Sequence, residues 1–216
     1  MSLFRLDASI TPATSQSRAL ADLVEAEWSA EYPDSVVTRR DIGSEPLPAT
    51  LWRDAVTGGS VAEADRSAAQ REARTRAARL ADELIGADAV LLAIPLYNWG
   101  VASHVKSWYD VTYTDPRIAG GALKGKPVVL ATVRGGNYSP GTPKEGWDHS
   151  TPWLMHAIGE VWGADLLVVQ RQLTLVGVNP ALDPFTEQAA EAKIAAEQLA
   201  TKHGRAIAAK RHRLAA

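Results

Sequence analysis

The most informative absence in this chain of 216 residues is cysteine, of which there is none. Without a thiol the chain cannot form disulfides, use a cysteine nucleophile, or hold an iron–sulfur cluster or a cysteine-ligated zinc ion. Phenylalanine and methionine are also scarce, with two residues each, whereas seven tryptophans are present. Any demanding redox chemistry in this protein therefore has to come from a bound cofactor.

An excess of one charge and long apolar runs are missing as well. Lys and Arg total 23, Asp and Glu total 25, and the formal net charge is -2. This balance argues against a nucleic-acid groove or a polybasic membrane anchor. No uncharged apolar run approaches the roughly 18 residues of a membrane span, and residues 1–7 lack the apolar segment of a signal peptide. We expect a cytoplasmic protein with no membrane or nucleic-acid partner.

The histidines show no spacing that is typical of metal ligands. None of the five belongs to an H-E-x-x-H or comparable pattern, so we expect no metal site. His203 and His212 lie among lysines and arginines near the C-terminus. Cations at the end of a closing helix oppose its dipole, and this is the role we expect for them.

Short apolar runs alternate with helical patterns along the chain. Strands are predicted at Leu3–Ala8, Ser35–Asp41, Ala87–Ile94, Val128–Val133 and Leu166–Leu175. Helices are predicted at Ser17–Glu31, Ala62–Ile85, Val101–Val111, Thr151–Trp162 and Thr186–Ala209. Uniformly apolar strands are typical of a parallel sheet that is buried on both faces. Their alternation with helices predicts a doubly wound α/β sheet, and the length predicts a single domain, 1–216.

The connection between the first strand and the first helix, residues 9–17, is rich in hydroxyl groups. Five of its nine residues are serine or threonine. In doubly wound sheets, ligands bind beyond the carboxyl ends of the strands, and the free N–H groups at a helix start bind anions. Capping by Ser15 or Ser17 needs only one hydroxyl. The segment favours a phosphate site, with ordinary capping as the alternative.

Two further loops at predicted strand ends carry features suited to a ligand. The third strand is followed by Pro95–Gly100, in which Tyr97 and Trp99 flank Asn98. Aromatic side chains at such a position can border a flat ring, while the amide hydrogen-bonds its polar edge. The fourth strand is followed by Arg134–Tyr138, whose two adjacent glycines permit a close approach of the backbone to a ligand. Helix-start packing and a tight turn are the respective alternatives.

Together these segments resemble the FMN-dependent NADH-azoreductases, also described as NADH:quinone reductases, a family with the flavodoxin-like fold. Residue Ser9 and the run Ser15-Gln16-Ser17 resemble the family's FMN-phosphate loop. Leu96-Tyr97-Asn98-Trp99 resembles its M-Y-N-F motif beside the isoalloxazine ring, and Thr132–Gly136 resembles its T-S-R-G-G loop. The similarity extends from the first residues to the final helix.

The resemblance implies a flavodoxin-like doubly wound five-stranded parallel sheet of order 2-1-3-4-5, with helices on both faces. It also implies bound FMN, NADH or NADPH as electron donor, an aromatic acceptor such as a quinone or azo compound, and a homodimer with FMN at the interface. The cofactor-binding residues implied are Ser9, Ser15, Gln16, Ser17, Leu96, Tyr97, Asn98, Trp99, Val133, Arg134, Gly135 and Gly136.

The candidate catalytic residues are Asn98, Tyr138 and His149. Asn98 belongs to the motif that orients the flavin ring, while Tyr138 and His149 are candidates for donating a proton to the acceptor. Hydride transfer through the flavin N5 atom with ping-pong kinetics is the leading hypothesis. The alternatives are a reductase that supplies reduced flavin to a partner monooxygenase, a flavodoxin-like electron carrier, and a flavin-free binding protein that has kept the fold.

The chain departs from the family pattern in two stretches, 111–119 and 134–149. In the family these regions contribute to the substrate pocket and the dimer contacts, so the departures bear on the acceptor more than on FMN. Five of the seven tryptophans lie between residues 99 and 162. We expect Trp99 and Trp147 to line the pocket and Trp108 and Trp162 to pack in the core.

Overall fold

The computed structural model describes the backbone of residues 1–214 and the side chains of residues 1–210. The contribution expected of the His212 side chain and the last two residues of the predicted domain, 215–216, lie outside the described residues. Within the described residues, every helix is too short or too polar to cross a lipid bilayer.

Five parallel strands form one sheet in the order β2-β1-β3-β4-β5. Their bounds are Ser2–Asp7 for β1, Val36–Asp41 for β2, Ala89–Pro95 for β3, Pro127–Val133 for β4 and Asp165–Arg171 for β5. Every residue of β3 and β4 is buried, whereas the edge strands β2 and β5 are partly exposed. The predicted strand order and parallel topology are confirmed.

Helices cover both faces of this sheet, as predicted. Their bounds are Gln16–Glu31 for α1, Leu51–Gly59 for α2, Ala68–Gly86 for α3, Ser103–Tyr113 for α4, Pro116–Ala119 for α5, Thr151–Met155 for α6 and Thr186–Leu214 for α7. Helices α1 and α7 pack together on one face. The other face carries α2, α3, α4 and α6. Trp108 and Trp162 are 2% and 1% exposed and pack edge to face in that second layer, which confirms their predicted core role.

The start of α3 differs from the sequence prediction because local hydrogen bonds set it. A helix from Ala62 was predicted, but residues 63–65 form a short 3₁₀ turn and α3 begins at Ala68. The Ser67 hydroxyl accepts from the backbone N–H of Gln70, and the Gln70 side chain accepts from that of Ser67. This reciprocal capping box makes Ser67 the N-cap of α3.

The fifth strand is shorter than predicted. A strand from Leu166 to Leu175 was expected, yet β5 ends at Arg171. Leu173 has a left-handed backbone with φ of 60°, and its N–H donates to the carbonyl of Gly136. The predicted strand end therefore pairs with the loop after β4 instead of extending the sheet, and apolar composition alone could not distinguish the two.

Two helices were not predicted, and one predicted helix changes from α-helical to π-helical geometry along its length. The helix α2 has only nine residues and α5 only four, and helices this short depend on tertiary packing more than on intrinsic propensity. The predicted helix Thr151–Trp162 is α-helical to Met155 and then widens into a π turn, in which the Trp162 N–H donates to the carbonyl of Ala157.

Candidate functional site

A cavity of about 440 Å³ lies beyond the carboxyl ends of β1, β3 and β4. This is the sheet edge where doubly wound folds bind ligands. The order of the sheet brings the three loops together, because β1, β3 and β4 are consecutive neighbours. The cavity is lined by Ser9, Thr11, Thr14, Ser15, Gln16, Ser17, Pro95, Leu96, Tyr97, Val133, Gly135, Thr174, Leu175 and Val178.

The hydroxyl-rich segment surrounds the first turn of α1. Ser15 is the N-cap of this helix, and its Oγ accepts from the Arg18 N–H at 3.2 Å. Ser15 Oγ also lies 3.2 Å from Ser17 Oγ. Within the described part of the chain, the backbone N–H groups of Gln16 and Ser17 donate to no protein group. Ser15 therefore caps the helix, and two donors beside the cavity remain available to an anion.

Tyr97 joins the loop after β3 to the loop after β1. Its hydroxyl oxygen accepts from the Ile10 N–H at 3.1 Å and lies 3.4 Å from Ser9 Oγ. Ser9 Oγ in turn accepts from the Thr11 N–H at 3.3 Å. Through these contacts Tyr97, which belongs to the loop after β3, orders the hydroxyl-rich loop. The two predicted loops therefore form one continuous wall of the cavity.

The residues after Tyr97 form a tight reverse turn with unusual backbone angles. Asn98 and Trp99 both have positive φ, 47° and 63°, and the Gly100 N–H donates to the Tyr97 carbonyl at 3.1 Å. Two consecutive left-handed residues are the pattern of a type I′ turn. Asn tolerates this conformation well, but a bulky residue such as Trp99 adopts it only where its surroundings hold it.

The surroundings of Trp99 come from the long loop after β4. The His149 N–H donates to the Trp99 carbonyl at 2.9 Å. The indole of Trp147 packs edge to face on that of Trp99, with ring centroids 6.0 Å apart. Each indole is 48% exposed. Neither belongs to the lining of the cavity in the described chain, so the expected position of Trp99 and Trp147 in its wall is not seen in a single protomer.

The first of the paired glycines after β4, Gly135, lies at a close chain crossing. A Cβ on Gly135 would lie 2.6 Å from Cδ1 of Leu175, closer than real Cβ contacts allow. The Leu175 N–H donates to the Gly135 carbonyl at 3.1 Å. Thr174, Leu175 and Val178 thereby reach the cavity. Sequence analysis missed Thr174 and Leu175 because it assigned 166–175 to a strand, and it gave no role to Val178 in the segment that follows. Gly177, with φ of 80°, was the signal of a turn.

Arg134 and Tyr138 border a neighbouring depression of about 530 Å³ on the α6 side. The guanidinium of Arg134 contacts Asp148 at 3.3 Å and Gln170 at 2.9 Å, and it lies 5.8 Å from the centre of the Tyr138 ring. Burial and the negative charge of Asp148 raise the pKa of Tyr138, with Arg134 acting in the opposite direction. The phenol therefore stays protonated at neutral pH and can donate a hydrogen bond.

The predicted site residues divide into two groups. Those that line the common cavity are Ser9, Ser15, Gln16, Ser17, Leu96, Tyr97, Val133 and Gly135. Those that lie beside it are Asn98, Trp99, Arg134, Gly136, Tyr138 and His149. The His149 side chain is exposed, and its backbone supports the Trp99 turn. Its expected role as proton donor stays a prediction, as do the ligand contacts of the other residues.

Comparisons with known proteins match this architecture. A family model described as flavodoxin-like fold matches residues 1–200. The FMN-dependent NADH:quinone oxidoreductase of Parafrankia sp. (strain EAN1pec) is 37% identical over 204 residues, which cover 92% of this chain and 96% of that protein. The protein of the same name from Streptomyces avermitilis is 31% identical over 210 residues, covering 95% of this chain and 96% of its own.

Solved structures show the same fold. The azoreductase of Bacillus anthracis strain Sterne has a TM-score of 0.77 at 21% identity, covering 95% of this chain and 99% of its own. An FMN-dependent NADH-azoreductase of B. anthracis, solved in complex with FMN, has a TM-score of 0.68 at 15% identity, covering 93% and 100%. By sequence and by fold, this chain belongs to the flavodoxin-like family of FMN-dependent NADH:quinone oxidoreductases.

Proposed function

We propose that this protein binds FMN and uses it to oxidise NADH or NADPH and reduce an aromatic acceptor such as a quinone or an azo compound. The observation that supports this most directly is the cavity, which joins an anion-binding helix start to the loops after β3 and β4. A phosphate group and a flat ring on one ligand require this combination. The names of the relatives, FMN-dependent NADH:quinone oxidoreductases, agree with it.

The residues present fit FMN at both of its ends. The unpartnered N–H groups of Gln16 and Ser17, with the hydroxyls of Ser9, Ser15 and Ser17, would hold the phosphate. Leu96, Tyr97, Val133 and Gly135 line the remainder of the cavity and would border the ring. Asn98, Trp99, Arg134 and Gly136 lie in the same two loops and would complete that border.

FMN, when bound, would supply the hydride chemistry, which no amino-acid side chain provides. The protein's part is to hold the phosphate, orient the ring and keep donor and acceptor in one place. No second nucleotide-binding fold accompanies the sheet in the described chain. Donor and acceptor are therefore expected to occupy the same space in turn, which is a ping-pong mechanism. The protonated phenol of Tyr138 and the side chain of His149 are the proposed proton donors to the acceptor.

A homodimer with FMN at its interface is part of this proposal. The half-exposed Trp99 and Trp147 form an apolar pair beside the cavity. A second protomer that covered this pair would place both indoles at the interface, where the FMN ring is proposed to lie. The small net charge of -2 agrees with a small-molecule reaction, which we place in the cytoplasm.

An absorbance spectrum of the purified protein tests the proposal. We expect a flavin band that bleaches when NADH is added without oxygen and returns when a quinone is added. Initial rates at several fixed quinone concentrations should give parallel double-reciprocal lines. A colourless protein that does not quench the fluorescence of added FMN would overturn the proposal. Bleaching together with intersecting lines would support FMN as the cofactor but rule out the ping-pong mechanism.

The same preparation separates the other flavin-dependent functions. A reductase that supplies reduced flavin to a monooxygenase should lose FMN on gel filtration, whereas the proposed enzyme should retain it. A flavodoxin-like carrier should fail to oxidise NADH unless a partner reductase is added.

A further inference from the structure

Arg171 is a partly buried cation that contacts the proposed phosphate loop. It is the last residue of β5, and its Nη1 donates to Oε1 of Gln16 at 2.5 Å. Its Nε is buried and has no hydrogen-bond partner. Across the described side chains, no carboxylate forms an ion pair with Arg171. A partly buried guanidinium with an unpartnered Nε and no ion pair leaves positive charge available beside the ligand loop, and this calls for a functional explanation.

Neighbouring arginines at this edge of the sheet are neutralised within the protein. Arg18, in the first turn of α1, contacts Asp41 at 2.7 Å, and Arg134 contacts Asp148 at 3.3 Å. The carboxylate that acts on Arg171 over a longer distance is Glu197, which is itself paired with Lys193 at 2.6 Å. Burial lowers the pKa of Arg171 while Glu197 opposes this effect, but a guanidinium remains charged at physiological pH.

The contact also determines which way the Gln16 amide points. A guanidinium only donates hydrogen bonds, so the amide oxygen of Gln16 has to face Arg171. The amide nitrogen then faces the loop, where it donates to the Thr14 carbonyl at 3.3 Å. Arg171 therefore presents a hydrogen-bond donor of Gln16 to the segment 9–17, which contains no charged residue of its own.

We propose that Arg171 is a positioning residue for the phosphate of the bound flavin: it fixes the Gln16 amide with its NH₂ group toward the loop and provides the positive charge that this loop lacks. Arg171 is absent from the cavity lining in the described chain, so it acts through Gln16. This inference rests on the proposed FMN function. It assigns the phosphate, rather than the ring, as the part of the ligand that Arg171 recognises.

The test compares two flavins that differ only in the phosphate. Dissociation constants of FMN and riboflavin for the flavin-free protein are measured by fluorescence quenching, with wild type and Arg171→Met. We expect R171M to weaken FMN binding about tenfold, as for the loss of a charge-assisted contact, and to change riboflavin binding less than about twofold. Arg171→Lys should restore part of the FMN affinity because it keeps the charge. Arg205→Met is the matched control and should change neither value, since Arg205 is an exposed arginine of α7 that pairs with Glu27 of α1.

Two results would overturn the assignment: FMN binding that R171M leaves unchanged, or an equal loss for both flavins, which a merely structural role would produce. If R171M folds poorly, Gln16→Leu provides a second test, because it removes the oxygen that accepts the Arg171 hydrogen bond. A Q16L protein with the wild-type ratio of FMN to riboflavin affinity would then overturn it. Wild-type protein that binds neither flavin would instead overturn the proposed function itself.

Discussion

A single residue at this site can both cap a helix and line the cavity, and Ser15 shows this most clearly. Its hydroxyl caps α1 by accepting from the Arg18 N–H, and it also lines the cavity beside the Ser17 hydroxyl. Capping and phosphate binding were competing interpretations of the sequence. Because one oxygen has two lone pairs and a proton to donate, the cap does not exclude the ligand contact.

Replacing Ser15 and Ser17 together by alanine should weaken FMN retention. Two hydrogen bonds to a charged phosphate would be lost, and we expect a cost of about 2–4 kcal/mol in FMN binding. Titration of the flavin-free double variant with FMN measures it. Ser67→Ala is the control, since Ser67 caps α3 far along the chain from this loop. It should lower the free energy of unfolding by about 1 kcal/mol and leave FMN binding unchanged. Equal FMN binding by all three proteins would refute the phosphate assignment.

Elements meet at this sheet edge with very little space between them. Gly43, just after β2, lies so close to the end of β1 that an added Cβ would be 2.1 Å from the Ser9 carbonyl oxygen. The obstructing atom is backbone, so it cannot rotate away as a side chain could. The position of the hydroxyl-rich loop therefore depends on a glycine in a different loop.

Gly43→Ala should destabilise the fold and displace Ser9. We expect the free energy of unfolding to fall by about 1–3 kcal/mol, as for other overpacked sites, and FMN to bind more weakly because the loop has shifted. Chemical denaturation and FMN titration give the two values. Gly86→Ala is the control, because an added Cβ there meets nothing within 4 Å. If G43A matched G86A in both measurements, the close contact would not matter to the site.

At the scale of the whole molecule, the sheet order brings three loops to one cavity but leaves an aromatic pair half exposed beside it. Trp99 and Trp147 are each 48% exposed. Large exposed aromatic side chains next to a ligand site are typical of surfaces that meet a partner. The proposed homodimer would cover them.

Trp147→Glu should therefore shift the protein from dimer toward monomer. A buried carboxylate at an apolar interface is costly, and we expect sedimentation equilibrium to move from about twice the 23.2 kDa chain mass toward that mass. Ile194→Glu, an exposed apolar position on α7, is the control and should leave the mass unchanged. A wild-type protein that sediments as a monomer, or a W147E protein that remains fully dimeric, would contradict this role of Trp147.

The sequence was most informative where structure is local. The apolar runs of β3 and β4 and the hydroxyl-rich start of α1 identified the parallel sheet and the loop beside it, because burial and capping act over a few neighbouring residues. The sequence was least informative where one segment could either extend a strand or pair with a distant loop. Residues 173–175 have the composition of a strand, yet they pair with Gly135 and Gly136.

The sequence determined the fold class and the alternation of the five strands with the longer helices, and its resemblance to a known family pointed to the strand order and to eight residues that line the cavity. The strands and the longer helices have periodic or contiguous patterns, so local physical chemistry is sufficient for them. Only the tertiary structure decided that Thr174, Leu175 and Val178 reach the cavity, that Trp99 rests on Trp147, and that Arg171 holds Gln16 from 155 residues away. Such contacts depend on how separate elements pack, and no local pattern encodes that packing.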